Sequence, residues 1–307
     1  MENTLQGIYR RPLPLLATLT AAAVCLSLTI VHRTTRRIAA LESGIVHLFI
    51  PPRWSRGPNY FSRCVALETL LRLARQPYIV HFVTDTTNPT MIATTAKSEA
   101  DKAAKVTITT LTMRTLPFTI CDGVLSSRPP VELTDLVDRG LSAEGHALGL
   151  AAARLAETSL AYGLHRSLLI DRPEVMVDLF AQEYNLDMKK ANNVVTRTRR
   201  ALITALNAVG YGSLPDTWYP REFLRGVRSL ETLIGENKFL LGNNPTSYDC
   251  TIYGWLQVAT QLGAHDPATE YLMKSEILQG YVKRMTELAF PDIAELPRSG
   301  ESHKFIP

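Results

Sequence analysis

The chain has 307 residues, 46% of them hydrophobic and 20% charged, with 17 Gly and 18 Pro. That balance excludes collagen-like and low-complexity chains and suits a packed globular protein with room for two modest domains or one large one. A net charge of +4, from 33 basic and 29 acidic residues, is too mild for a nucleic-acid partner, which shows itself as a basic stripe, and none is expected.

From Pro12 to His32 run 21 residues without a formal charge. A helix of about 20 residues crosses the ~30 Å hydrocarbon core, so this stretch reads as an uncleaved single-pass anchor. A tail over 1–11 precedes it and a basic linker over 33–44 follows. A signal peptide would need a small-residue cleavage site, and His32-Arg33-Thr34-Thr35-Arg36-Arg37 is a poor one. A mitochondrial presequence would be basic and poor in acid. No acidic residue lies between Glu2 and Glu42, so mitochondrial targeting stays open as an alternative. Arg33, Arg36 and Arg37 after the span outweigh Arg10 and Arg11 before it, which points to a cytosolic body.

Ile45 to Ile50 reads as a strand ended by Pro51-Pro52, and Tyr60 to Arg75 as a helix that Pro77 forces to an end. Tyr78 to Val83 is a second strand, so the unit is βαβ with a parallel pair. Over 84–115, 11 of 32 residues are Thr. That segment reads as an insertion, either mobile or used for docking, with helix-favouring composition only from Lys97 to Lys105. Phe118 to Cys121 reads as a strand, Asp122-Gly123 as a two-residue hairpin turn, Val124 to Ser126 as its return and Val131 to Arg139 as a helix. These elements make a first domain over 45–140.

Over 141–297 the pattern is all-helical, with no strand from 141 to the end and a tail over 298–307. Helices are expected over Ser142–His165, Asp178–Tyr184, Lys189–Val209, Arg221–Gly235, Tyr248–Leu262 and Glu270–Leu288. Thr246-Ser247-Tyr248-Asp249 is a capping box, a folding element and not a catalytic one.

This order of elements resembles the glutathione S-transferase superfamily, a thioredoxin-like α/β half followed by an all-α half, here preceded by one transmembrane helix. More narrowly, Cys64 to Tyr78 (C-V-A-L-E-T-L-L-R-L-A-R-Q-P-Y) is similar to the first helix and following strand of the failed axon connections and metaxin branch. That branch includes cadmium-responsive nematode proteins. Leu116-Pro117-Phe118 looks like the superfamily's cis-proline strand, and Lys238 to Asp249 its buried helix start.

The resemblance implies a glutathione site at the start of the first helix, with Leu116, Pro117, Ser126 and Ser127 as cofactor-binding residues. The candidate catalytic residues are Cys64 and Ser62. A thiol in the first helical turn is activated by the helix dipole, and the turn holds Cys64 if Ser62 caps the helix. Tyr60 and Ser55 are further hydroxyl candidates. Against this, four cysteines without two-residue spacing give no resolving partner, no zinc site and no disulfide framework, and favour a reducing compartment. Ser127 and Arg128 also fall where glutathione-binding relatives place an acid followed by a serine, so the acid is missing unless Glu132 supplies it. Trp54 with Arg53 and Arg56 is a weaker anion-binding candidate. His146 and His165 lack co-ligands, so no metal is expected.

Two functions lead, and a third, protection against metals or electrophiles in the style of the cadmium-responsive relatives, is implied by the resemblance alone. One is a membrane-anchored, non-catalytic or weakly catalytic adaptor, with a protein partner or a second copy of itself. The other is a glutathione-dependent transferase or thiol reductase acting in detoxification or stress response.

Overall fold

In the computed structural model, the described residues are 41–42, 44–83, 90–96, 105–111, 116–122, 124–299 and 302–307. The expected span 12–32 lies outside them. Among the described residues no helix is long and apolar enough to cross a membrane.

Strand β1 (Val46–Ile50) is buried along its whole length, as a central strand covered on both faces must be. Its even-numbered residues Val46, Leu48 and Ile50 pack with Cys64, Leu67 and Leu71 of helix α1 (Ser62–Leu73). Phe49, on the opposite face, joins Phe118 and Ile120. Helix α1 returns the chain to β2 (Tyr78–Phe82), which runs parallel to β1 from Val46↔Tyr78 to Ile50↔Phe82. Strand β5 (Phe118–Cys121) pairs antiparallel with β1 and turns into β6 (Val124–Ser126), with Cys121 opposite Val124. The sheet order is β6-β5-β1-β2, with one further strand at the free edge of β2.

The last member of that sheet corrects the expectation that nothing after 141 is a strand. Residues His303–Phe305 form β7, antiparallel to β2 at its free edge. Three residues with one aromatic carry no periodic signal. Their conformation comes from an edge that offers unpaired backbone groups, and Phe305 stacks on Tyr78 with centroids 5.0 Å apart. The Thr-rich insertion is also more regular than its composition suggests. Strands β3 (Thr90–Ala96) and β4 (Lys105–Leu111) pair antiparallel as a separate two-stranded sheet. Thr is β-branched and favours extended backbone, which the reading as a mobile or docking insertion leaves out.

Helix α2 (Val131–Val137) closes the α/β half. The helical half begins at α3 (Ala143–Leu155), with Ser142 Oγ accepting the Gly145 amide at 3.0 Å. The helix then continues through a π-turn (Ala156–Leu160), α4 (Ala161–Arg166) and a second π-turn (Ser167–Asp171), six residues beyond the expected end at His165. Pro173 starts α5 (Pro173–Glu183), and Asp187 caps α6 (Met188–Ala208). Helices α7 (Trp218–Ile234) and α8 (Ser247–Leu262) form the centre of this half.

The predicted final helix is two helices, α9 (Pro267–Lys274) and α10 (Glu276–Ala289). Ser275 separates them, and its hydroxyl accepts the Leu278 amide at 3.1 Å. A capped start inside an apolar repeat is invisible to periodicity alone.

The two halves meet where α8 crosses α1. Gly254 permits that approach, since a Cβ there would come within 2.4 Å of the Ser62 carbonyl oxygen. Gly254→Val is therefore expected to destabilise the protein by about 2 kcal/mol, within the range for overpacking. A lower urea midpoint at unchanged m-value would show it; an unchanged midpoint would contradict the close approach.

Candidate functional site

Two cavities lie at the start of α1. One, of about 500 Å³, is walled by Ser62, Arg63, Pro117, Ser127, Arg128, Arg154, Glu157, Ser247 and Tyr248. The other, of about 390 Å³, is walled by Phe61, Leu116, Leu164, His165, Leu168, Phe180, Leu202 and Val258. Ser62, Arg63 and Trp255 belong to both walls. Each volume suits a small-molecule site.

The first helix is positioned by Asn59. Its amide nitrogen donates to the Pro51 carbonyl at 3.2 Å, and its Oδ1 accepts the Phe61 amide at 2.9 Å. Phe61, not Ser62, occupies the N-cap, so Ser62 is the first helical residue. The Leu116–Pro117 peptide is cis, in agreement with the expectation drawn from the strand string. Leu116 reaches the apolar cavity, while Pro117 and Ser127 reach the polar one. Ser126 is on neither wall, and its hydroxyl is occupied by the Arg128 backbone, donating to the carbonyl at 2.9 Å and accepting the amide at 3.2 Å.

Cys64 is in the first turn but faces the other way. Its sulfur is fully buried among Leu48, Leu67, Leu71 and Val80, on the sheet side of the helix. Burial pushes the thiol well above its ordinary range, with Glu68 adding to this and Arg53 and Arg63 opposing it. A helix N-terminus stabilises a thiolate only if the sulfur can be reached and solvated, so here desolvation outweighs the dipole. Cys121 and Cys250 are raised by burial as well.

The other hydroxyls are also accounted for. Tyr60 packs edge-on against Trp54 and Phe180, and burial raises its pKa. Ser55 donates to Glu183 through both its amide and its hydroxyl, at 2.6 Å each. Of these four candidates Ser62 alone stands on both cavity walls, while Tyr60 lines the apolar one only.

The anion-binding candidate in the 53–56 loop is corrected. Arg53 forms a bidentate pair with Glu68 at 2.7 and 2.6 Å, both side chains buried, and Trp54 is 2% exposed. Arg56 lies 3.8 Å from Glu183. Arg53 is thus not left for a ligand, and Arg56 is an exposed cation beside Glu183. His146 bonds the Tyr248 hydroxyl at 3.1 Å, and His165 sits edge-on to Trp255 at 5.2 Å. Burial lowers His165 to about 4, so its ring is neutral near pH 7. Among the described residues no group of three metal-ligating side chains occurs.

Glu132 is exposed and on neither cavity wall. The polar cavity's own carboxylate is Glu157, held by Arg154 one helical turn away. Sequence reading missed Arg154, Glu157, Tyr248 and Trp255, because an Arg-x-x-Glu pair on a helix looks like any solvated face. It also missed the π-turns, where the Arg172 amide reaches the Ser167 carbonyl at 3.0 Å. The wider turn carries the consecutive residues Leu168 and Leu169 to the same apolar wall.

Residues 225–285 match the family model described as glutathione S-transferase, C-terminal domain. The match runs from α7 into α10, and with the mixed sheet and cis-proline before it the fold is glutathione S-transferase-like. Similar solved structures include a glutathione transferase of Phanerochaete chrysosporium, at 12% identity, TM-score 0.47, and coverage of 81% of this chain and 97% of that one. A glutathione S-transferase of Ceriporiopsis subvermispora in complex with glutathione has 14% identity, TM-score 0.46, and coverage of 83% and 100%. One from Pseudomonas fluorescens has 14% identity, TM-score 0.41, and coverage of 79% and 95%. No curated protein sequence matches the chain.

Proposed function

We propose that this chain is a glutathione S-transferase-like binding protein of the failed axon connections and metaxin kind, which holds a ligand or partner without thiol chemistry of its own. In this reading residues 12–32 anchor it in a membrane and the body stands on the cytosolic side. The observation that carries it is the placement of Cys64, sealed beneath the sheet while the cavities open on the opposite side of α1. A second support is the polar wall at Ser127 and Arg128, where the acid that would neutralise the ammonium of glutathione is missing and Arg128 would repel it.

The test is glutathione-dependent conjugation of a generic electrophile, together with iodoacetamide labelling of Cys64 in the native protein. We expect no turnover, and labelling of Cys64 only after unfolding. Rapid native labelling, or conjugation abolished by Cys64→Ala, would sink this reading.

A glutathione-dependent transferase or reductase is the second reading. It is favoured by one observation: Ser62 begins α1 and belongs to both cavity walls, with the cis-proline Pro117 on the polar one. A hydroxyl at that point can donate to a ligand's thiolate, beside helix amides that favour negative charge. Conjugation reduced about 100-fold or more in Ser62→Ala would establish it, since a lost oxyanion-type donor costs that much.

A further inference from the structure

We propose that the two cavities are one binding site for an amphipathic anion, a carboxylate carried on an aliphatic chain, with the head at Arg63 and Arg128 and the chain in the apolar cavity. This rests on the reading of the site as a non-covalent binding site. The polar wall carries three guanidinium groups, and they are not equivalent. Arg154 is paired with Glu157, whereas Arg63 and Arg128 have no ion-pair partner among the described residues. Two unneutralised guanidinium groups facing one cavity repel an ammonium and attract a carboxylate, which either can hold by a bidentate pair.

The other end carries no charged side chain beyond Arg63 at the junction. Leu164, Leu168, Leu202 and Val258 wall the smaller cavity, and its imidazole, His165, is lowered to about 4 by burial and so is neutral near pH 7. An aliphatic chain entering there releases water from apolar surface without desolvating an ion. Ser62, Arg63 and Trp255 stand on both walls, so the cavities adjoin at the first turn of α1. A ligand with its charge at one end and its chain at the other matches this division; a doubly charged peptide-like ligand does not.

The experiment is isothermal titration of the full chain with decanoate, decanol and acetate, below the concentrations at which the first two aggregate. Decanoate is expected to bind one per chain and at least about tenfold more tightly than decanol or acetate. Arg63→Gln with Arg128→Gln should weaken decanoate about tenfold or more and leave decanol unchanged. Thr198→Trp, a bulky replacement at an exposed residue on the rim of the apolar cavity, should weaken decanoate and decanol alike. Equal affinity for decanol and decanoate would overturn the proposal, as would unchanged decanoate binding in the double variant. Reversible glutathione binding without turnover, and no decanoate binding, would overturn it while leaving the binding-protein reading intact. Turnover dependent on Cys64 would instead remove that reading.

Discussion

Glu68→Gln is expected to cost about 3–5 kcal/mol of stability, the usual penalty for removing one member of a buried ion pair. Glu68 is fully buried and stands at the centre of a chain of charge. Arg53 grips it with two nitrogens, and the Tyr78 hydroxyl donates to it at 2.7 Å. Arg72 Nε in turn donates to Tyr78 at 2.7 Å, and its terminal nitrogens reach Asp292 at 2.5 and 3.2 Å. The Arg72 guanidinium also lies over the Phe290 and Phe305 rings, at 4.6 and 4.3 Å. Neutralising the carboxylate leaves Arg53 charged, buried at 3% exposure and with no counter-ion. For a body this size, that loss lowers the Tm by roughly 10 °C.

The same group sets an acid limit. Burial alone would raise the Glu68 carboxyl, but the charge and hydrogen bonds of Arg53, aided by Arg72 and Tyr78, hold it below its ordinary value of 4.5. A carboxyl depressed in the folded state stabilises the protein above its unfolded-state pKa and loses that contribution as pH falls through the folded one. Stability followed by urea denaturation should therefore decline below about pH 4.5, and the decline should be shallower in Glu68→Gln. A variant as stable as the parent at neutral pH would refute the account of this network.

Asp249→Ala carries the second large effect. The carboxylate accepts from the Leu240 amide at 2.9 Å, the Thr246 amide at 2.8 Å, the Thr246 hydroxyl at 2.7 Å and the Tyr281 hydroxyl at 3.0 Å. Removing it strands three buried donors, each costing about 1–3 kcal/mol when left without a partner, while the Tyr281 hydroxyl keeps the Asp249 carbonyl at 3.2 Å. It also removes half of the capping box at α8, worth about 1 kcal/mol by itself. Allowing for water entry and relaxation, the expected loss is about 3–5 kcal/mol, read as a lower urea midpoint. Thr246→Ala should cost less, about 1–2 kcal/mol, because it leaves the carboxylate with its remaining donors. A smaller loss for Asp249→Ala than for Thr246→Ala would show that the box is only a local cap. The larger one would confirm that Asp249 ties α8 to the loop before it and to α10.

The two variants act at different distances along the chain, and that difference marks what the sequence could convey. The capping box spans four residues, so Thr246 and Asp249 could be paired from spacing alone. The parallel strands on either side of α1, the hairpin at 122–123 and the Pro117 strand are equally local or carried by a recognisable string. The Glu68 network is not: Arg72 meets Asp292 across 220 positions, and no pattern in either segment announces it. Arg53 therefore read as an available cation in a loop until its partner on α1 was seen.

By itself, then, the sequence determined the β1-α1-β2 unit, the β5-β6 hairpin, the cap of α8, the division into an α/β and a helical half, and the charge-free stretch 12–32, but not β3, β4, β7 or the break between α9 and α10. Short-range hydrogen bonding and apolar periodicity are written in neighbouring residues, so those features can be read there. Only the tertiary structure decided that Cys64 turns beneath the sheet while Ser62, two residues earlier, faces the cavities. Both lie in the same helical turn, and a rotation of 100° per residue separates them; which side meets the sheet depends on how α1 docks. The same holds for the joined cavities, whose walls come from α1, the cis-proline strand, the π-turns and α8. Burial and neighbouring charge, which fix whether a thiol or an arginine can act, are properties of that docking.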